Sequence, residues 1–259
     1  MSQKKTRLDK LMLERELAPS RERAQALILA GRVLVNEQKI TKPGTSVADD
    51  AALRTIGDDL RYVGRGGLKL ERALEHWRID LTNRTCMDVG ASTGGFTDCM
   101  LQHGAARVIA VDTGYGQIDA RLRSDGRVRL LEKTNARYLK AENVDEAVSF
   151  VAVDVSFISA TLVLPAVVAS IQQSAGSLQQ PAASTQRLEA VVLVKPQFEA
   201  GREAVGKGGI VRDEAAQMAA VERVRSALEA LRFGGLEWIE SPIRGAEGNR
   251  EFLLHGVLR

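Results

Sequence analysis

Residues 85–100 read TCMDVGASTGGFTDCM, and this stretch decides the fold of the larger part of the chain. An apolar strand at its start runs into a glycine-rich turn at residues 91–96, and a helix follows the turn. A second apolar strand, residues 108–111, then ends at Asp112. The order strand, glycine turn, helix, strand and acid is typical of a nucleotide site in a doubly wound α/β sheet. In such a site the glycines let the backbone approach the ligand, and the acid can accept hydrogen bonds from ribose hydroxyls.

The turn differs from the dinucleotide-binding pattern G-x-G-x-x-G, because Asp88 lies inside the end of the first strand. A carboxylate at this position would repel a pyrophosphate, whereas it suits a cationic amino-acid cofactor such as S-adenosylmethionine. The pattern therefore favours a methyl-donor site, and a nicotinamide-dependent dehydrogenase is the weaker alternative.

Two further apolar runs each lead to a charged residue. Residues 147–155 carry Asp154 near their end, and residues 188–194 run directly into Lys195. Near-continuous apolar runs fit central parallel strands that are buried on both faces. Since the chemistry of such sheets gathers at the carboxyl ends of the strands, both charged residues are candidates for an active site.

The remaining segments complete a Rossmann-like α/β sheet of the class I methyltransferase type. A helix is predicted near residues 213–232, followed by an antiparallel edge hairpin of residues 236–240 and 251–257. Residues 174–186 are rich in Gln, Ser and Ala, and we interpret them as a surface loop. The glycine-rich residues 201–209 carry two cations and either grip a substrate phosphate or only turn the chain.

The composition excludes several classes of protein. A chain of 259 residues with 44% hydrophobic and 27% charged residues is globular rather than disordered or fibrous. The two cysteines, Cys86 and Cys99, are too few for a disulfide framework and too far apart for a Cys-x-x-Cys pair, so we expect no metal site. The N-terminus lacks the apolar core of a secretory signal, and no run reaches the roughly 18 apolar residues of a membrane span. We therefore expect a cytoplasmic protein with no membrane partner.

The charge is distributed unevenly along the chain. Residues 1–42 hold ten Lys and Arg against five Asp and Glu, a local balance of +5 within a total of +3. Residues 43–259 are therefore left at −2. A basic segment on a nearly neutral remainder indicates an end that binds a polyanion, although a solvated helical surface would show the same excess.

The basic segment predicts a small α+β unit. Ser20 stands at an N-cap position before an apolar helical face, and Gly31 stands where a glycine would end that helix. Residues 33–40 then form a short hairpin that turns near Asn36 and Glu37, and residues 53–56 supply a further strand. Such a short unit buries little surface.

The stretch SRERAQALILAGRVLVNEQKITKPGTSV, residues 20–47, resembles the αL-type RNA-binding module of a small-subunit ribosomal protein, some pseudouridine synthases and a tRNA synthetase. The resemblance covers roughly residues 6–56 of this chain. It implies that the face around the second helix and the hairpin meets an RNA backbone. The matching cations are Arg21, Arg23, Arg32, Lys39 and Lys42. Phosphate contacts of this kind give salt-dependent affinity with little choice of base.

Eight motifs occur in order along the chain: RGGLKL, DVGASTGGFTD, VDTGYGQ, TNAR, DVSFIS, LVKPQFE, GGIVRD and GNREFLL. Together with the preceding module they resemble the TlyA family, which consists of ribosomal RNA cytidine 2′-O-methyltransferases that are also described as hemolysins. The resemblance implies an αL-type RNA-binding domain at residues 1–60, a linker at 61–66 and an FtsJ-like methyltransferase domain at 67–259. It also implies S-adenosylmethionine as cofactor and ribosomal RNA or a ribosomal subunit as partner. No obligate protein partner is evident.

The same resemblance implies the functional residues. The catalytic tetrad of ribose 2′-O-methyltransferases matches Lys69, Asp154, Lys195 and Glu251. The predicted cofactor-binding residues are Asp88, Gly90, Ser92, Gly94, Gly95, Phe96, Asp112 and Asn135, although Phe96 could instead pack the start of its helix.

The reaction needs a base, because a 2′-hydroxyl is a poor nucleophile until its proton is removed. A lysine can take this proton only as a neutral amine, a form that a second ammonium nearby favours. We therefore expect Lys195 to be the base and Lys69 to position the substrate, with the reverse assignment as the alternative. Asp154 and Glu251 would orient the two lysines and the ribose.

Three questions stay open at this level. A ribosome-binding or assembly factor without catalysis is the second hypothesis, and a membrane-lytic protein is the poorest one. TlyA-family members differ in whether they modify the large ribosomal subunit alone or both subunits. Because the chain stops directly after the last predicted strand, we expect the large subunit alone.

Overall fold

The computed structural model describes residues 5–18, 20–56, 61–177, 187–245 and 248–259. The chain divides into two compact units, Met1–Asp59 and Leu60–Arg259, which we call the head and the body. Within the described residues, no helix is both long enough and apolar enough to cross a bilayer.

The head combines two helices with five three-residue strands. Its elements are β1 (Lys5–Arg7), α1 (Leu8–Glu14), α2 (Arg21–Leu29), β2 (Val33–Val35), β3 (Gln38–Ile40), β4 (Ser46–Ala48) and β5 (Leu53–Thr55). Strand β2 pairs antiparallel with β3 and β5, and β1 pairs with β4.

The helix α2 begins and ends where the sequence predicts. The hydroxyl of Ser20 accepts a hydrogen bond from the backbone N–H of Arg23 at 3.2 Å, which caps the start of the helix. Gly31 follows the helix with φ +65°, a left-handed conformation that glycine adopts without strain. The hairpin between β2 and β3 also turns as predicted, because Asn36 and Glu37 both have positive φ, as a two-residue type I′ turn requires. Strands β1 and β4 were not predicted, since three-residue strands carry almost no periodic signal.

The body is an α/β unit built on a seven-stranded mixed sheet, which confirms the predicted fold class. The strands lie in the order β11-β12-β10-β9-β6-β7-β8, and among the described strands of this sheet only β12 runs in the opposite direction to the others. The strands are β6 (Thr85–Val89), β7 (Arg107–Val111), β8 (Val128–Leu131), β9 (Phe150–Val153), β10 (Glu189–Val194), β11 (Phe233–Glu240) and β12 (Phe252–Leu258).

Helices cover both faces of this sheet. They are α3 (Gly66–Trp77), α4 (Gly95–Gln102), α5 (Ala120–Arg123), α6 (Ala141–Val144), α7 (Ala160–Ser177), α8 (Pro196–Glu199) and α9 (Glu214–Ala230). Alternate residues of a strand point to opposite faces, so Met87 of β6 joins the core under α7 and α9, whereas Cys86 joins the core under α3 and α4. Both cores consist mainly of buried aliphatic side chains with a few aromatic ones, and they hold the strand ends in fixed positions.

The sequence analysis assigned residues 61–66 to a linker, whereas in the structure these residues belong to the body. Tyr62 is buried, and its hydroxyl donates a hydrogen bond to Glu71 at 2.9 Å. The backbone N–H of Val63 donates to Asp98 at 2.8 Å. These contacts pack the segment against α3 and α4, and Gly66 itself is the first residue of α3.

The first residues of the surface loop predicted at 174–186 are helical. Residues 174–177 form the end of α7, because Ser174 is buried and its hydroxyl donates to the carbonyl of Glu146 at 3.2 Å. The rest of that prediction, residues 178–186, lies outside the described residues.

Candidate active site

Two cavities open at the carboxyl edge of the parallel strands. The first has a volume of about 390 Å³ and is lined by the loops that follow β6, β7, β8 and β9. The second has a volume of about 300 Å³ and is lined by α3 and by the segments after β9 and β10 and before β12. Asp154, Ser156 and Phe157 line both cavities, so the two spaces meet at the end of β9.

Gly90 brings the ends of β6 and β9 close together beside the first cavity. Its φ is +92°, and a Cβ atom at this position would lie 2.3 Å from the carbonyl oxygen of Asp154. A side chain would therefore meet backbone in a conformation that is already unfavourable for it. The glycine leaves this part of the cavity wall as bare backbone.

Asp112, at the end of β7, is held by two backbone donors. Its carboxylate accepts hydrogen bonds from the N–H of Ser92 at 2.8 Å and from the N–H of Gly114 at 2.6 Å. Asn135 lies on the same cavity wall, and its side-chain oxygen accepts a hydrogen bond from the N–H of Arg137 at 3.0 Å. These bonds orient both side chains before any ligand arrives.

The charge of the first cavity is negative. Among the described residues that line it, the ionisable ones are both carboxylates, Asp112 and Asp154. A volume of this size suits a small molecule, for which sites of about 300–1,000 Å³ are usual. The cavity therefore favours a small ligand that carries positive charge.

The predicted cofactor residues divide into two groups. Gly90, Ser92, Asp112 and Asn135 line the first cavity, whereas Asp88, Gly94, Gly95 and Phe96 do not. Phe96 is buried in the core beneath α3 and α4, the packing role that the sequence analysis gave as its alternative. A Cβ atom on Gly95 would lie 3.0 Å from the backbone nitrogen of Gly67, so this glycine lets α3 approach α4.

Asp88 lies fully buried behind the cavity wall. One of its oxygens accepts a hydrogen bond from the hydroxyl of Thr97 at 2.6 Å, and the other has no hydrogen-bond partner among the described residues. Burial raises the pKa of Asp88 to about 7, while the Thr97 hydrogen bond opposes this shift and the nearby carboxylate of Asp154 adds to it. The group is therefore poised between its neutral and charged forms near neutral pH.

All four residues of the predicted tetrad line the second cavity. The ammonium of Lys69 donates to Glu251 at 2.5 Å, and that of Lys195 lies 2.5 Å from Asp154 Oδ1. The Lys195–Asp154 contact is an ion pair without hydrogen-bond alignment, since Asp154 Oδ1 has no hydrogen-bond partner in the part of the chain that the structure describes. Lys195 instead donates a hydrogen bond to Ser156 at 2.8 Å. Lys69, Lys195 and Glu251 are buried, so each lysine faces its carboxylate with little solvent screening.

The second cavity carries an excess of positive charge. Besides the two lysines, Arg65 and Arg244 line it, and both are exposed. Four cations thus face the two carboxylates Asp154 and Glu251. This balance favours a ligand that carries negative charge, the opposite of the first cavity.

Sequence reasoning missed several residues of this cavity. Phe157 is 92% exposed and has φ +65°, and its ring lies 5.4 Å from that of Phe198. An exposed aromatic residue in the left-handed region is unusual and is held there by its surroundings. Ser156 and Phe157 directly follow Asp154 in the motif DVSF, which was the available signal. Arg65 is the first residue of the motif RGGLKL and Arg244 lies four residues before GNREFLL, but nothing local distinguishes them from other surface arginines.

In the head, the predicted RNA-binding cations lie on three neighbouring elements. Arg21 and Arg23 lie in the first turn of α2, Arg32 precedes β2, Lys39 lies on β3 and Lys42 follows it. Lys39 and Lys42 are exposed.

A buried carboxylate, which the sequence analysis did not single out, anchors one of these cations. Asp9 accepts hydrogen bonds from Arg21 at 3.1 Å, from Gln25 at 2.8 Å and from two nitrogens of Arg7, both at 3.0 Å. The guanidinium of Arg7 holds the pKa of Asp9 well below its usual range, although burial opposes this effect. Arg21 is therefore fixed in the fold of the head.

Comparison with known families divides the chain in the same way. Residues 6–51 match the S4 domain, and residues 62–257 match the FtsJ-like methyltransferase domain.

Whole-chain relatives carry the same arrangement. The Bacillus subtilis protein YqxC is 45% identical over 258 residues, which cover 98% of this chain and 86% of that protein. The Mycobacterium tuberculosis protein TlyA, named a 16S/23S rRNA (cytidine-2′-O)-methyltransferase, is 41% identical over 252 residues, 97% of this chain and 89% of that protein. A solved structure from Streptococcus thermophilus that carries a hemolysin name superposes with a TM-score of 0.73 and 40% identity, covering 99% of this chain and 90% of that one.

Proposed function

This chain belongs to the TlyA family of FtsJ-like methyltransferases with an S4 domain, and on that premise we propose that it methylates the 2′-hydroxyl of a cytidine in ribosomal RNA. The enzyme is a methyltransferase whose cofactor is S-adenosylmethionine. The observation that carries the proposal is the junction at Asp154, where a small negative cavity opens into a positive cavity that holds two lysine–carboxylate pairs.

The first cavity fits the cofactor by size and charge. Asp112 and Asp154 suit the positive charges of its sulfonium and ammonium groups, and Asp112 is placed at a strand end from which it would accept hydrogen bonds from ribose hydroxyls. Asn135 and the bare backbone of Gly90 complete the proposed site. Bound S-adenosylmethionine supplies a methyl group that is already activated for transfer.

The second cavity would hold the target nucleotide. Its positive charge matches a phosphodiester chain, and Arg65 and Arg244 at its exposed side are suited to phosphate contacts. Phe157 offers an exposed aromatic face at the border of the two cavities, on which an unstacked base could rest. The nucleotide would thus be held with its ribose near the junction.

We assign the proton transfer to Lys195. In its neutral form this amine would accept the proton of the 2′-hydroxyl, and its contacts with Asp154 and Ser156 fix its direction. Lys69, held by Glu251, would bind and orient the ribose oxygen. Most of the acceleration would come from alignment, because the methyl donor needs little further activation.

The head would dock structured RNA through phosphate contacts. Its exposed cations Lys39 and Lys42, with the arginines of α2, form a basic surface without an aromatic stacking platform among the predicted contact residues. Such contacts select shape rather than sequence.

The reaction is tested with tritium transfer from labelled S-adenosylmethionine to each purified ribosomal subunit and to free RNA, followed by digestion to nucleosides. We expect label in 2′-O-methylcytidine from at least one subunit. Tight cofactor binding without label on any RNA would instead favour a ribosome-binding factor without catalysis. Label on a base rather than a ribose would contradict the tetrad assignment.

The substitution Lys195→Ala tests the base. We expect methyl transfer to fall by about 100-fold or more, because general-base catalysis typically contributes 10²–10⁴-fold. The dissociation constant of S-adenosylmethionine, measured by calorimetry, should stay within a factor of about three, since Lys195 does not line the first cavity. Lys140→Ala is the matched control, because Lys140 is a surface lysine whose side chain is 72% exposed. A fully active Lys195→Ala enzyme would refute the mechanism.

A further inference from the structure

Glu199 is a buried carboxylate that belongs to neither cavity. It is the last residue of α8, four residues after Lys195, and only 3% of its surface is exposed. Burial raises the pKa of Glu199, while hydrogen bonds from Ser159 and Ala160 oppose the shift. A carboxylate is costly to bury, so its contacts need an explanation.

The carboxylate of Glu199 holds the end of the segment that follows β9. One oxygen accepts a hydrogen bond from the backbone N–H of Ala160 at 2.7 Å, and the other accepts from the hydroxyl of Ser159 at 2.5 Å. Ala160 is the first residue of α7, where a negative charge is favourable. Glu199 therefore fixes the point at which the segment 154–159 enters its helix.

Side-chain contacts at three places join segment 154–159 to segment 195–199. Lys195 donates to Ser156, the ring of Phe198 lies against that of Phe157, and Glu199 binds Ser159. The two segments leave the sheet from the neighbouring parallel strands β9 and β10, so they lie beyond the last hydrogen bonds of the strand ladder. Because the strand ladder does not reach these segments, side-chain contacts set the distance between them.

Glu199 also contacts helix α9. The backbone carbonyl of Glu199 accepts a hydrogen bond from the guanidinium of Arg223 at 2.5 Å. The link between the segments is thus tied to α9, whereas the opposite end, at Asp154 and Lys195, faces the cavities.

We propose that Glu199 is a positioning residue, which sets the distance and direction between Asp154 and Lys195 by tying segment 154–159 to segment 195–199. This inference rests on the proposed function of the same site. Glu199 touches neither cofactor nor substrate in this proposal. It acts through the geometry of the ion pair, and a misplacement of about 1 Å in such a site can cost about 100-fold in rate.

Two substitutions separate positioning from folding. In Glu199→Ala both hydrogen bonds are lost, and we expect kcat to fall by about 100-fold, with the KM for RNA and the dissociation constant of S-adenosylmethionine little changed. In Glu199→Gln the amide oxygen can still accept from Ala160 and the amide N–H can donate to the Ser159 hydroxyl. We therefore expect Glu199→Gln to recover most of the lost kcat.

The matched control is Glu189→Ala, at the opposite end of β10. Glu189 is also a carboxylate of the body, half-buried rather than buried, and it binds Arg84 at 2.7 Å and His255 at 2.8 Å. Its loss should lower thermal stability without lowering kcat, because it lies far along the strand from Lys195. If Glu199→Ala does not fold, Ser159→Ala removes one of the two hydrogen bonds and should lower kcat in the same direction.

The outcomes distinguish this inference from the proposed function. A wild-type enzyme that transfers no methyl group to RNA refutes the proposed function, and this inference with it. If the wild type is active and kcat is unchanged in Glu199→Ala, the inference alone is refuted. If Glu199→Ala does not fold, an unchanged kcat in Ser159→Ala refutes it in the same way. An equal loss of kcat in Glu189→Ala also refutes it, because general destabilisation would then explain the effect.

Discussion

At Asp88 a carboxyl group lies fully buried, with a hydroxyl bonded to one oxygen and, within the described residues, no hydrogen-bond partner on the other. The sequence analysis assigned this residue to cofactor binding through its negative charge. The structure places it behind the cavity wall, where burial raises its pKa to about 7. At neutral pH the group therefore exists in both forms, and its effect on stability depends on pH.

The substitution Asp88→Asn tests whether the pKa of Asp88 is raised in the folded protein. The unfolded chain releases the proton near the usual pKa of 3.8, whereas the folded chain keeps it until about pH 7. Folding therefore takes up a proton between these values, and wild-type stability falls as pH rises. As pH rises through this window, the free energy of unfolding of the wild type should fall relative to that of Asp88→Asn, by at most about 1.4 kcal/mol per pH unit.

Urea unfolding between pH 4 and 8 measures this difference, followed by tryptophan fluorescence. Both tryptophans, Trp77 and Trp238, lie in the body, so the signal reports the unit that holds Asp88. A difference between the two proteins that is constant over this range, or that grows in favour of the wild type, would contradict the raised pKa.

At the scale of elements, the site depends on how closely the ends of β6 and β9 approach. Gly90 permits this approach, because a Cβ atom would lie 2.3 Å from the carbonyl oxygen of Asp154. Asp154 also belongs to both cavities. A change in the spacing of these two strand ends would therefore move the junction at which we propose that methyl transfer occurs.

The substitution Gly90→Ala tests this packing. With φ at +92° and a clash against backbone, alanine should destabilise the body by about 1–3 kcal/mol and weaken binding of S-adenosylmethionine. Thermal unfolding and calorimetric titration measure the two effects. Gly126→Ala is the control, because a Cβ atom at Gly126 has open space and no positive φ is found there. Unchanged cofactor affinity in Gly90→Ala would show that this contact does not shape the site.

At the scale of the whole molecule, the chain carries two kinds of charge for two tasks. The head presents exposed cations, and in the body a negative cavity adjoins a positive one. We expect the head to supply affinity for RNA and the body to supply chemistry. We therefore expect substitutions in the head to change RNA affinity without changing the rate of catalysis.

The double substitution Lys39→Gln and Lys42→Gln tests this separation. Glutamine keeps much of the aliphatic stem, which at Lys39 covers Gly31, while it removes the charge. RNA affinity should fall, and the slope of log K against log salt should decrease by about two, one for each lost phosphate contact. Cofactor affinity and kcat at saturating RNA should stay unchanged. Lys140→Gln in the body is the control, and an unchanged salt slope in the double variant would contradict these contacts.

Local patterns in the sequence predicted most of the fold. The helix α2, the hairpin at Asn36–Glu37, the buried parallel strands and the glycine turn all depend on residues close together in the chain. Short or half-buried elements escaped prediction, such as β1, β4 and β8, because they carry little periodic signal. Residues 61–65 looked like a linker, since the burial of Tyr62 depends on α3 and α4 rather than on its neighbours.

The sequence by itself determined the α/β class, the position of the glycine-rich turn and the identity of the charged residues at the strand ends, because these follow from short-range periodicity and residue chemistry. Only the tertiary structure decided that Lys69 pairs with Glu251, 182 residues away, and that Asp88 lies behind the cavity wall. It also decided that Glu199 joins the two segments that carry Asp154 and Lys195. Such contacts join residues that no local pattern relates, and packing of the sheet and its helices alone brings them within reach.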